Sequence, residues 1–262
     1  MSSDGSAAPT VVLVHGAFAD ASSWSRVVAQ LQNAGVSTEA VVNPLRGLTV
    51  DGEYVARVVE QIEGDIVLVG HSYGGPVITY ASSKADNVKA LVYVASFGLD
   101  QGVTTLGSVE GFPPSDLPPA LRPRKYPNGD EPGTEFYIDS ELFPAVFAAD
   151  LPADEAKVLA HSQRPAADVG FGEPLAVEPG WKKIPSWFVV AGADRAINPD
   201  SERAAAKRMG ATTVEIDGGS HSIALSEAPR VTEVIMDAVR AVRCRSPSPP
   251  QWPRRRGDRG AT

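Results

Sequence analysis

Short apolar runs alternate with stretches of helical spacing along most of the chain. Thr10–Val14 reads as a buried strand, and 23–34 as a helix with Trp24, Val27, Val28 and Leu31 on one face. Ser22 or Ser23 is the expected cap of that helix and Gly35 its stop. Val36–Asn43 is a strand ended by Pro44, and 50–63 is a helix with Tyr54, Val55, Val58, Val59 and Ile62 on one side. Asp65–Val69 is a strand that runs into a Gly-rich turn and a helix reaching about Ser83. Strands at Lys89–Ala95, Ser186–Ala191 and Thr212–Ile216 follow, with helices near 199–209 and 226–242, the last capped at Ser226. Strands alternating with helices predict an α/β fold: a mainly parallel sheet of six strands, helices on both faces.

The alternation breaks between Ala95 and Ser186. That stretch holds thirteen prolines and nine aromatics, Phe97, Phe143, Phe147 and Phe171 among them. It far exceeds the ~12–15 residues of a plain loop, so it needs structure of its own. The expected organisation is a core of residues 1–96 and 184–244, with a helical lid inserted at 97–183. Helices at 140–149 and 152–163 are expected in the lid. The residues from 245 to 262 are rich in Pro, Ser and Arg and read as a disordered basic tail.

Composition narrows the function. The formal net charge is −8. Residues 240–262 carry seven arginines against one aspartate, which leaves −14 on residues 1–239. An acidic body repels polyanions, so no nucleic-acid partner is expected. No apolar run approaches the ~18–20 residues a bilayer requires, and no membrane partner is expected either. The first ten residues lack a basic start and an apolar stretch, so they do not read as a secretory signal. The single cysteine, Cys244, forms no internal disulfide and fits a cytoplasmic location. A monomer or homodimer is expected.

The chemistry centres on Gly70-His71-Ser72-Tyr73-Gly74-Gly75. This Gly-x-Ser-x-Gly follows a strand at once and opens a helix, the context of a nucleophile elbow. The turn is sharp enough that residues two before and two after the serine must be small, as Gly70 and Gly74 are. A serine hydroxyl needs a base to take its proton. Of the four histidines, His221 stands best, in a Gly-Gly-Ser loop after the last strand, where the carboxyl ends of parallel strands gather functional groups. His71 adjoins the serine and reads as packing, His15 as a prop for the loop after the first strand, and His161 as solvated in the lid. The base needs an orienting carboxylate. Asp194, three residues past the fifth strand, gives the order Ser72, Asp194, His221; Asp100, Asp200 and Asp217 are its rivals. An oxyanion hole needs two backbone N–H groups. Tyr73 is placed to give one and Ala17 the other, with Phe18 as the alternative.

Four segments resemble the α/β-hydrolase superfamily. They are Val14-His15-Gly16-Ala17-Phe18 with Trp24 beyond it, the elbow, Ala191-Gly192-Ala193-Asp194-Arg195, and Gly219-Ser220-His221-Ser222. The chain is most similar to small bacterial esterase-like members and to the plant methylesterase and hydroxynitrile-lyase group. The resemblance implies the α/β-hydrolase fold with a lid over the site. The lyases of that group carry Thr where Gly16 stands and Lys where Ser222 stands, so cyanide release is not expected. The expected activity is a serine hydrolase that cleaves a small to medium carboxylic ester or lactone through an acyl-enzyme, with no cofactor and no metal. Phe18 and Phe97 are candidates for contact with the substrate. A non-hydrolytic ligand-binding protein on the same fold and a carbon–carbon bond hydrolase are the alternatives.

Overall fold

The computed structural model describes residues 8–245. The chain runs through β1 (Thr10–Val14), α1 (Ser25–Asn33), β2 (Thr38–Val41), α2 (Leu48–Glu60), β3 (Ile66–His71), α3 (Gly74–Ala81) and β4 (Val88–Val94). An insertion follows, with α4 (Leu117–Ala120), β5 (Leu121–Tyr126), β6 (Gly133–Ile138), α5 (Phe143–Phe147), α6 (Ala153–His161), β7 (Ala166–Ala167) and α7 (Val169–Gly172). The core resumes with β8 (Ser186–Ala191), α8 (Pro199–Met209), β9 (Thr212–Ile216), α9 (Ile223–Ser226) and α10 (Ala228–Arg245).

The sheet has six strands in the order β2-β1-β3-β4-β8-β9, every neighbouring pair parallel. Side chains alternate across it. Val12, Val14, Leu68 and Leu91 join one apolar cluster with α2, α3 and the insertion. Val11, Leu13, Val67, Val69 and Val92 join the other with α1 and α10. Strands buried on both faces have no polar face to show, which is why they read as continuous apolar runs. The outer strands β2 and β9 keep exposed positions.

Three details differ from the sequence expectations. A 3-10 turn over Ala21–Trp24 leads into α1, and its cap is Asp20, whose Oδ1 accepts the Ser22 N–H at 2.7 Å and the Ser22 hydroxyl at 2.6 Å. The expected terminal helix is α10, but Ser226, its expected cap, closes the separate short helix α9, and α10 extends through Arg245, which therefore does not belong to a disordered tail. The rest of the expected tail, 246–262, lies outside the described residues.

The third difference is the insertion, which is not purely helical. Besides α5 and α6 it holds an antiparallel sheet in the order β5-β6-β7. Pro123 lies within β5, an edge strand, where a missing N–H is tolerated. The burial of β6 does not alternate, so the period-two signal that marks a strand was missing.

Candidate active site

The elbow forms because only glycine fits on either side of Ser72. A Cβ on Gly70 would lie 2.5 Å from the Gly74 carbonyl oxygen, across the turn. A Cβ on Gly74 would lie 2.5 Å from the Val14 carbonyl oxygen, and one on Gly75 would run into the Ser96 hydroxyl. Ser72 itself is at φ +52°, in the left-handed region that costs a side-chain-bearing residue ~1–3 kcal/mol. The surroundings hold it there. Its N–H donates to the Val94 carbonyl at 3.0 Å, and its carbonyl accepts from Ser96 Oγ at 2.6 Å. The strain lifts the hydroxyl out of the strand at the carboxyl end of β3.

The loops after β8 and β9 bring Asp194 and His221 together. His221 Nδ1 donates to Asp194 Oδ2 at 2.6 Å, and both side chains are buried. The second oxygen of Asp194 accepts the N–H groups of Ala196 and Ile197 at 2.7 and 2.9 Å. The rival carboxylates are engaged elsewhere. Asp100 is paired with Lys182 at 3.4 Å and Arg208 at 3.3 Å, a third exposed. Asp200 pairs with Arg203, and Asp217 is exposed on its turn. Among the described residues no hydrogen bond joins Ser72 Oγ to His221, a contact that is often long before substrate binds.

Two of the remaining histidines, His15 and His71, are buried and hydrogen-bonded. His71 Nε2 donates to the His221 carbonyl at 2.8 Å and so fixes the backbone of that loop. His15 Nε2 accepts the Asn43 N–H at 2.9 Å, which leaves its proton on Nδ1, facing the Gly16 carbonyl. Burial disfavours the imidazolium and pushes His15 down to about 4. Burial, reinforced by the neighbouring His221, takes His71 to about 3. His161 is exposed.

The donors assigned to an oxyanion hole separate cleanly. The Phe18 N–H is spent on the Arg164 carbonyl at 3.1 Å. The Ala17 and Tyr73 N–H groups donate to no protein acceptor among the described residues. A Cβ on Gly16 would fall 2.6 Å from Ser72 Cβ, so only glycine lets this loop approach the serine. Phe18 sits at φ +63° and turns its ring into an aromatic cover.

That cover comes largely from the insertion. Phe147 stands edge-on to His221 at 4.6 Å between ring centroids, stacks on Phe143 at 4.9 Å and meets Phe18 at 6.4 Å. Phe171 stacks on Phe18 at 6.3 Å and leans on Tyr73 at 5.5 Å. Phe97 packs against the core, and among the described residues its ring joins none of these contacts. The sequence offered Phe143, Phe147 and Phe171 only as lid aromatics; which of them face the site depends on how α5 and α7 fold back. Sequence reasoning also passed over Glu202 and Asp150. Glu202 has the form of an acidic residue opening a helix, and Asp150 that of a loop residue. Glu202 nonetheless is fully buried beneath the Asp194 turn, and Asp150 binds the His221 loop through Ser220.

Residues 11–234 match the model of the alpha/beta hydrolase family. A pyrethroid hydrolase of Sphingobium wenxiniae is 27% identical over 243 residues, 87% of this chain and 86% of that protein. An esterase of Oryza sativa subsp. japonica is 25% identical over 255 residues, 86% of this chain and 93% of the esterase. Among solved structures, polyneuridine aldehyde esterase superposes with a TM-score of 0.76 at 19% identity, covering 87% of this chain and 98% of its own. No helix among the described residues is long and apolar enough to cross a membrane. A matched span this long, on a parallel sheet with an elbow serine and a buried aspartate–histidine pair at its carboxyl edge, means that the chain belongs to the alpha/beta hydrolase family.

Proposed function

We propose that the protein hydrolyses small to medium carboxylic esters or lactones with an apolar acyl or alcohol part, through a covalent acyl-enzyme. The buried 2.6 Å pair of His221 and Asp194 is the main support, because a buried carboxylate beside an imidazole stabilises the cation that forms during attack. Ser72 Oγ attacks the carbonyl carbon while His221 Nε2 takes its proton. The developing oxyanion is received by the N–H groups of Ala17 and Tyr73, which have no other acceptor to give up. His221 then passes the proton to the leaving alcohol, and water clears the acyl group by the same route in reverse. Asp194 stays ionised throughout and holds the ring so that Nδ1 bears the proton. The names of the pyrethroid hydrolase and the rice esterase agree with ester chemistry. Ser72 is only 7% exposed, so the aromatic cover must part for a substrate to reach it.

The test is turnover of a panel of p-nitrophenyl esters and lactones by the protein and by Ser72→Ala. The expected result is multiple turnover, with a loss of at least ~10³-fold in the variant while its melting temperature holds. A variant that keeps most of the activity would remove Ser72 from the reaction.

A further inference from the structure

Asp194 has a second carboxyl behind it. Glu202, in the first turn of α8, turns inward under the end of β8 and is fully buried. Its Oε2 accepts the Ala191 N–H at 3.2 Å. Its Oε1 has no donor among the described residues, and the Asp194 carboxyl lies within hydrogen-bond reach of the side chain. Two carboxylates cannot both stay charged that close in a low-dielectric interior, so one keeps a proton.

The donors around the pair decide which. Among the described residues Asp194 receives three, from Ala196, Ile197 and His221, whereas Glu202 receives only the Ala191 N–H. We propose that Glu202 is a positioning residue of this site: its neutral carboxyl donates a hydrogen bond to Asp194 and holds that carboxylate toward His221. The inference rests on the triad reading above.

The charges around Glu202 fit that assignment. Burial, and then the charge on Asp194, drive its carboxyl well above the usual carboxylate range. The Ala191 N–H and the Arg203 guanidinium oppose the shift more weakly. Arg203, on the same helix, is already engaged by Asp200 and by Glu215 of β9. His221 engages Asp194 through Oδ2. A neutral Glu202 supplies a donor without adding charge, and an amide in its place offers the same two bonds. A glutamine Oε1 accepts from Ala191, and its Nε2 donates to Asp194.

Two variants and two measurements test this. For Glu202→Gln, kcat/KM on p-nitrophenyl acetate is expected within about threefold of the parent, with the acid limb of its pH profile unmoved. For Glu202→Leu, which removes the donor, a loss of at least about tenfold is expected. Its acid limb should move up by about half a unit, because Asp194 then gives all its charge to the imidazolium. The second measurement is urea unfolding from about pH 5 to 8 for the parent and Glu202→Gln, which needs no catalysis. A carboxyl raised in the folded state contributes stability that is full below its unfolded value and lost as pH rises. The parent should therefore lose stability relative to Glu202→Gln across that window. Parallel stability curves, or a Gln variant as impaired as the Leu variant, overturn the proposal. If Glu202→Leu does not fold, the Gln kinetics and the unfolding curves still decide. If the parent turns over no ester, the ester reading fails, and the unfolding curves alone decide whether Glu202 holds its proton.

Discussion

Strands β3 and β8 are buried along their whole length, whereas every residue of β5 in the insertion meets solvent at least in part. The two regions share one apolar cluster but differ in how their surfaces meet the site loops. Apolar burial fixes the sheet; it is non-directional, and each fully buried Val, Leu or Ile contributes ~1.5–3 kcal/mol. The insertion meets the site loops through the aromatic cover and through directional polar contacts. Asp150 accepts from Ser220 N at 2.9 Å and from Ser226 Oγ at 2.8 Å, and the Phe147 carbonyl accepts from Ser222 Oγ at 2.8 Å. The Arg164 carbonyl holds the Phe18 N–H. Arg195, next to Asp194, pairs with Asp116 at 2.6 Å, and Arg26 pairs with Glu155 at 2.8 Å. The loops that carry Ala17, Asp194 and His221 are thus tied to the insertion by bonds that water can replace. Apolar contacts hold the sheet as a frame, and the insertion adds these polar ties to its own share of the same apolar cluster.

Exchanging one carboxylate for an amide in each region gives the sharpest contrast. Asp194→Asn removes the charge at the buried end of the frame, and the amide can turn its donor to the ring and favour the wrong tautomer. A loss in kcat/KM of ~10²–10⁴-fold is expected. Asp100→Asn, at the solvent-exposed start of the insertion, should change the rate by less than about twofold, since exposed ion pairs contribute little. Kinetics on one ester with circular dichroism as a folding control decides it. A crippled Asp100 variant would move the acid of the site into the insertion.

Acid should act on the frame before the cover. His15 at about 4 and His71 at about 3 are neutral in the folded protein and charge freely once unfolded. Between the ordinary histidine value and these depressed ones, the unfolded chain binds more protons, so stability falls as pH falls. The loss is up to ~1.4 kcal/mol per histidine per pH unit. Urea midpoints of Glu202→Gln, which lacks the opposing titration of Glu202, should drop with that slope from about pH 7 down to 4.5, and a flat profile in that variant would count against buried neutral histidines.

A modest effect is expected from cutting the polar ties. Asp150→Ala frees the His221 loop from the insertion and should lower kcat/KM by about three- to tenfold at a cost of only ~1 kcal/mol in stability. A stability loss of the size that follows truncation of a core leucine, ~2–5 kcal/mol, would make the insertion part of the frame.

The amino-acid sequence by itself determined the sheet and the elbow. Strands buried on both faces must be apolar throughout, and the turn at Ser72 admits only glycine at 70 and 74, so both requirements are written in local residue types. The chain order of Ser72, Asp194 and His221 was legible for the same reason: functional loops follow strand ends. The Asp194–His221 contact and the ion pairs of Asp100 belong to the tertiary structure. So do the strands of the insertion, whose burial does not alternate, and the inward turn of Glu202. An acidic residue in the first turn of a helix has the same sequence signature whether it faces water or another carboxyl. Only the packing of α8 against β8 determines which, because burial is set by neighbours distant in the chain.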